Sequence, residues 1–153
     1  MHNKPRIFIN MHYMEIGGAE RALLGMLNAI DTSKYDVDLF INQHTGEFMS
    51  LIPSNINLLD EEPRYSTLER PIIETIKKGH IDIAIARVIA RLKHWVYTKT
   101  DKTDKAKDIS IFQYAAKSTT PLLPKLDKLG MYDLAISFLT PHNIVKDKVQ
   151  ARK

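Results

Sequence analysis

Cysteine is absent from the 153-residue chain, which excludes disulfides, thiolate metal sites and cysteine nucleophiles together. Its absence fits a reducing compartment. No apolar run approaches the roughly 20 residues that a bilayer span requires. The stretch Ile7-Phe8-Ile9, directly after Lys4-Pro5-Arg6, is too short for the apolar core of a signal peptide. A cytoplasmic protein is expected on these grounds. The six histidines (His2, His12, His44, His80, His94 and His142) show no ligand spacing such as H-E-x-x-H, so no metal is expected. No nucleic-acid-binding motif is visible, and aromatics are few in the basic part of the chain, so nucleic acid is not expected as a partner.

What is present is ordinary in bulk and uneven in charge. Hydrophobic residues make up 44% and charged residues 26% of the chain, the composition of one folded domain with a sizeable core. Residues 1–62 carry four Lys/Arg against nine Asp/Glu, whereas residues 63–153 carry eighteen against nine. A basic second half suits an anionic partner such as lipid head groups or a phosphorylated substrate; a solvated lysine-rich surface is the plainer alternative.

Apolar periodicity predicts a strand over Arg6–His12, a helix over Ala19–Ile30 and a strand over Val37–Ile41, the size of one βαβ unit. A short helix over Gly46–Leu51, a strand over Ile56–Leu59 and a loop over Asp60–Tyr65 follow. Helices are then predicted over Thr67–Lys78, Ile81–Trp95, Ile109–Lys117 and Thr120–Gly130, with an exposed loop over Thr98–Asp108. On the helix from Ile81, the stripe Ile85, Val88, Ile89, Leu92 and Trp95 is expected to pack on the sheet. Its basic side, with Arg87, Arg91, Lys93 and His94, also suits peripheral contact with an anionic membrane. Tyr132–Leu139 reads as a strand and Pro141–Val149 as a helix. The class is therefore α/β with a parallel sheet of about four or more strands, interrupted by a helical insertion at 66–130. Four strands are few for a doubly wound sheet, so the domain reads as incomplete at Lys153.

The most informative segment is Met11 to Arg21, where a strand runs through a loop into Gly17-Gly18 at a helix start. Backbone N–H groups there lack internal partners, and glycine lets a phosphate approach them. The spacing is neither G-x-G-x-x-G nor G-x-x-x-x-G-K-[ST], which removes the dinucleotide fingerprint and the P-loop. Taken alone, the pair is a tight structural turn as readily as a phosphate site.

The run Arg6-Ile7-Phe8-Ile9, followed by Gly17-Gly18-Ala19-Glu20-Arg21-Ala22-Leu23-Leu24, resembles the opening of family 4 glycosyltransferases, which have the GT-B fold. So does Lys34-Tyr35-Asp36-Val37-Asp38-Leu39, and Tyr132–Phe138 resembles a later core strand of the same Rossmann-like domain. The resemblance does not extend through the helical middle. It implies the N-terminal, acceptor-side part of a retaining glycosyltransferase that acts without a metal ion or other cofactor. The donor would be a nucleotide-sugar, held mainly by a C-terminal domain. The acceptor would be a saccharide or a lipid-linked one, in cell-surface glycan synthesis at the inner face of the membrane. It further implies that Gly17 and Gly18 contact the donor while Ala19 and Glu20 shape the helix start. The chain alone is then expected to be inactive, with no catalytic residue of its own. Met14, Glu15 and Ile16 stand where that family usually has more glycine, which predicts a differently shaped loop. Candidate acceptor contacts are His12 after the first strand, and Thr140, His142 and Asn143 after the last. A packed or solvent-facing histidine is the plainer reading of His12 and His142, and helix capping explains Thr140 and Asn143 equally well. A stand-alone Rossmann-like module, binding an anionic ligand or membrane through its basic surface, is the alternative of a different class.

Overall fold

A computed structural model of the chain describes residues 4–100, 107–139 and 142–152. Four strands, β1 (Arg6–Met11), β2 (Asp36–Ile41), β3 (Asn57–Leu58) and β4 (Leu134–Ser137), form one parallel sheet in the order β3-β2-β1-β4. The expected α/β class with an open parallel sheet is what forms, in an arrangement consistent with a partial Rossmann-like domain.

Strand alternation divides the core in two. Ile9, Met11, Val37, Leu39 and Ile41 face α1 (Gly18–Ala29), which buries Leu23, Leu24 and Leu27 against them at three- and four-residue spacing. Each such leucine contributes about 1.5–3 kcal/mol by leaving water. Phe8 and Phe40 point to the opposite face, where they meet Tyr65, Ile83, Leu123, Tyr132 and Ile144. The rings form a layer: Phe8 lies 5.3 Å from Tyr132 and Phe40 lies 5.1 Å from Tyr65, centroid to centroid. At the amino end of the sheet, Asp38 is satisfied by Arg6 (2.9 Å), the Tyr132 hydroxyl (2.6 Å) and the Asn57 amide (2.6 Å), while the Arg6 guanidinium also stacks on the Tyr132 ring. That closed network lets a carboxylate sit inside at little cost.

The second face is covered by residues of α2 (Pro63–Ser66), α4 (Ile81–Thr100) and α6 (Asn143–Lys148), while α3 (Ile72–Lys77) and α5 (Lys107–Thr119) pack against α4. Several predicted boundaries move, each for a local reason. The loop expected over Asp60–Tyr65 contains the start of α2, because the Glu62 carboxylate accepts from the N–H groups of Arg64 and Tyr65 and Pro63 occupies the first turn. The helix expected from Thr67 begins only at Ile72, since Pro71 disfavours helical backbone at the residue before it. No α-helix forms over Thr120–Gly130. Pro124 holds Leu123 extended (ψ 143°), leaving single 3-10 turns at Thr120–Leu122 and Asp127–Leu129. Gly46–Leu51 likewise becomes one 3-10 turn, Glu47–Leu51. Within the expected loop at Thr98–Asp108, residues 98–100 and 107–108 are helical and 101–106 lie outside the described residues. The last strand is shorter than expected: Tyr132 pairs instead with Ala151 in an isolated parallel bridge.

The largest correction concerns α4. Its inner face is Ile83, Ala84, Ala86 and Ala90, whereas Ile81, Ile85, Val88, Ile89, Leu92, Trp95 and Val96 are exposed. The stripe expected on the sheet faces outward, because small residues let the helix backbone approach its neighbours closely.

Candidate functional site

β1 and β4 lie side by side, yet the chain leaves them in opposite directions. Beyond β1 it enters α1 on one face; beyond β4 it enters α6, whose Ile144 packs on the other. Loops that part in this way open a crevice at the carboxyl ends of the strands, where ligands of open α/β sheets bind. A cavity of about 490 Å³ occupies that crevice. His12 and Tyr13 after β1, Asn42 after β2 and Leu139 after β4 line its sheet side. Asn143 and Ile144 come from α6. The facing wall is Arg87, Ala90 and Arg91 of α4 with Phe112, Ala115 and Ala116 of α5.

The polar groups are tied to one another. Buried Asn10 donates from Nδ2 to Asn42 Oδ1 (3.0 Å), and Asn42 Nδ2 donates to Glu69 Oε1 (3.4 Å). The same carboxylate oxygen lies 3.0 Å from His12 Nδ1. A carboxylate facing Nδ1 favours the tautomer with its proton there. His12 Nε2 and Asn10 Oδ1 are enclosed and make no hydrogen bond among the described residues.

Across the cavity, one Arg87 nitrogen donates to the carbonyls of Thr67 (2.7 Å) and Arg70 (2.6 Å), fastening α4 to the segment before α3. Burial and the neighbouring Arg91 charge push the Arg87 guanidinium below its ordinary value, while Glu69 opposes them. Two guanidiniums on successive turns of α4 therefore face a single carboxylate, a balance that favours an anionic group on a ligand. Tyr13 lines the cavity from the loop that runs on to the glycine turn. Burial first, then the charges of Glu69, Glu20 and Glu15, push its phenol up, which keeps the hydroxyl a neutral donor. The cavity thus offers hydrogen-bonding groups, cationic charge and an apolar shelf of Leu68, Phe112 and Leu139.

The loop carrying the turn is held by backbone pairing. Met14 N–H donates to the Thr45 carbonyl and Phe48 N–H to that of Met14, each at 2.9 Å. The Met14 side chain is buried in the core beside α1, so it anchors a loop that glycine would leave free. Gly46 completes the clasp with φ of 108°, where a Cβ would strike the Met14 carbonyl. Gly17 caps α1 with extended backbone, and the buried Glu20 carboxylate folds back against it. Gly18 has open space around it.

The residues singled out in the sequence do not all converge. His12 and Asn143 share the cavity wall. Gly17, Gly18, Ala19 and Glu20 lie on the same edge of the sheet but do not line the cavity. His142 is exposed, with Nδ1 3.0 Å from Ser137 Oγ at the end of β4. Thr140 lies outside the described residues. Sequence reasoning missed Tyr13, Asn42 and Glu69 as site residues. Arg87 and Arg91 did carry a signal, since their spacing of four places both on one side of a helix.

No family model matches the chain, and no curated protein or solved structure does.

Among the described residues no group of three or more His, Asp or Glu is placed to hold a metal ion. None of the described helices is long and apolar enough to cross a membrane.

Proposed function

We propose that this chain forms the acceptor side of a glycosyltransferase that uses a nucleotide-sugar donor, with the acceptor seated in the cavity between β1, β4 and α4. The carrying observation is the juxtaposition on one sheet edge of an open glycine turn at a helix start and a polar cavity, which Tyr13 lines from the loop that leads into that turn. A helix start whose Gly18 has no neighbour within 4 Å of a Cβ position suits the approach of a donor diphosphate. Asn143, Tyr13 and Glu69 suit sugar hydroxyls, and Arg87 with Arg91 suits a phosphate or carboxylate on the acceptor. Donor binding and sugar transfer would need a second domain that faces this edge.

The test is a titration of the isotopically labelled protein with saccharide phosphates, followed by backbone amide shifts. Saturable shifts clustered at His12, Tyr13, Arg91 and Asn143, weakened by Arg91→Ala, support the reading. Shifts scattered over the surface, or none with any saccharide, remove it.

A further inference from the structure

α4 has two working sides. Arg87, Ala90 and Arg91 line the cavity, while Ile81, Ile85, Val88, Ile89, Leu92, Trp95 and Val96 run along the opposite side at three- and four-residue spacing. These side chains are far from core-like: Leu92 is 58% and Trp95 is 59% exposed. On α3, Ile73 is 68% exposed and Ile76 is exposed as well. Isolated exposed apolar residues are ordinary on protein surfaces, but a contiguous row of this length marks an interaction surface.

The charge around the row says what covers it. Residues 71–100 carry six Lys/Arg against two acidic residues, Glu74 and Asp82. Asp82 is engaged by Arg64, and Arg87 and Arg91 are turned to the cavity, so Lys93 and Lys99 on α4, with Lys77 and Lys78 just before it, are the cations left beside the stripe. An apolar helix face flanked by lysine, with a tryptophan near one end, is the pattern of a helix lying in a lipid interface. A second copy of the chain fits poorly: two-fold pairing of the stripe would set the lysines of one molecule against those of the other. We propose that the outer face of α4, with Ile73 and Ile76 of α3, docks on an anionic lipid surface. Apolar side chains enter the acyl boundary and the flanking lysines meet the head groups. This surface is separate from the cavity, and the inference does not depend on what the cavity binds.

Trp95 is the one tryptophan of the chain, so tryptophan emission, excited selectively over the six tyrosines, reports on this face. The protein is titrated with vesicles of neutral phosphatidylcholine and with vesicles that also contain anionic phosphatidylglycerol, at low and high salt. The expected result is a blue shift and co-sedimentation with the anionic vesicles at low salt, weakened at high salt. Lys93→Gln should lower partitioning about fivefold. Ile85→Ser with Leu92→Ser should abolish the shift, while circular dichroism and thermal midpoint stay unchanged because both sites are exposed. No shift with anionic vesicles, or an equal shift with neutral ones, overturns the proposal. So does a blue shift that grows with protein concentration in the absence of lipid, which would assign the face to a second copy.

Discussion

Glu69 Oε1 stands 3.0 Å from His12 Nδ1, so a carboxylate in the segment between α2 and α3 fixes the imidazole at the end of β1. The same oxygen accepts from Asn42 beyond β2, and the three residues together hold one wall of the cavity. Glu69→Ala strands the His12 and Asn42 donors in a partly buried place. A loss of about 1–3 kcal/mol is expected in urea denaturation. Glu69→Gln keeps an acceptor oxygen and should recover most of it. Equal losses in the two variants would show that the carboxylate contributes packing and not hydrogen bonding.

The orientation of α4 gives opposite expectations for neighbouring residues. Ala90 is buried and Leu92 is exposed. Ala90→Leu should cost about 1–3 kcal/mol by overpacking, whereas Leu92→Ser should stay within about 0.5 kcal/mol of the parent. Thermal or denaturant unfolding of the two variants decides the matter. A severe loss on Leu92→Ser with tolerance of Ala90→Leu would mean that the helix packs through its large residues.

That orientation also marks where the sequence stops being legible. Ile7-Phe8-Ile9, Val37 to Ile41 and the leucines of α1 announce their elements because strand alternation and helical spacing each leave a mark on the burial of a two-sided sheet. The glycine turn was placed by the same logic, since Gly17-Gly18 falls between a strand and a helix. α4 defeats it, because hydrophobic periodicity finds a stripe without saying what covers it, and three alanines are a quieter signal than seven large residues. Pro124 and Pro71 were readable breaks that outweigh the apolar pattern around them. Glu69 and Asn42 carry no local motif. Only the tertiary pairing of chain segments far apart in sequence brings them to His12.

Alkaline stability should depend on two buried phenols. The Tyr65 hydroxyl donates to the Pro124 carbonyl at 2.7 Å and that of Tyr132 to Asp38 at 2.6 Å. Burial pushes both phenols well above the ordinary value of 10, helped at Tyr65 by Glu62 and at Tyr132 by Asp38. The fold therefore holds the protonated forms. Their contribution is complete below about pH 10, where the unfolded phenols begin to ionise, and is lost as pH rises toward the folded values. Denaturation midpoints should fall steadily above about pH 10, with less slope in Tyr132→Phe. Ultraviolet titration should show these two tyrosines ionising only as the chain unfolds; early ionisation of all six residues would contradict their burial.

Three glycines separate structure from function at the carboxyl edge. Gly46 has φ of 108° with the Met14 carbonyl where a Cβ would go, so Gly46→Ala should cost about 1–3 kcal/mol and loosen the loop. At Gly17 a new Cβ meets the Glu20 carboxylate, the mobile end of a side chain, and Gly17→Ala should displace that carboxylate at smaller cost. Gly18 begins α1 with open space around it, so Gly18→Ala should leave stability unchanged or raise it by up to about 1 kcal/mol. A pair kept only for its turn would then tolerate Ala at position 18 in every assay. If the turn receives a diphosphate, Gly18→Ala should instead weaken inorganic pyrophosphate binding severalfold while the melting temperature holds or rises. Binding of pyrophosphate to the parent and to Gly18→Ala, measured by amide shifts of residues 17–20, distinguishes the two; equal affinity in both proteins would leave the turn a structural one.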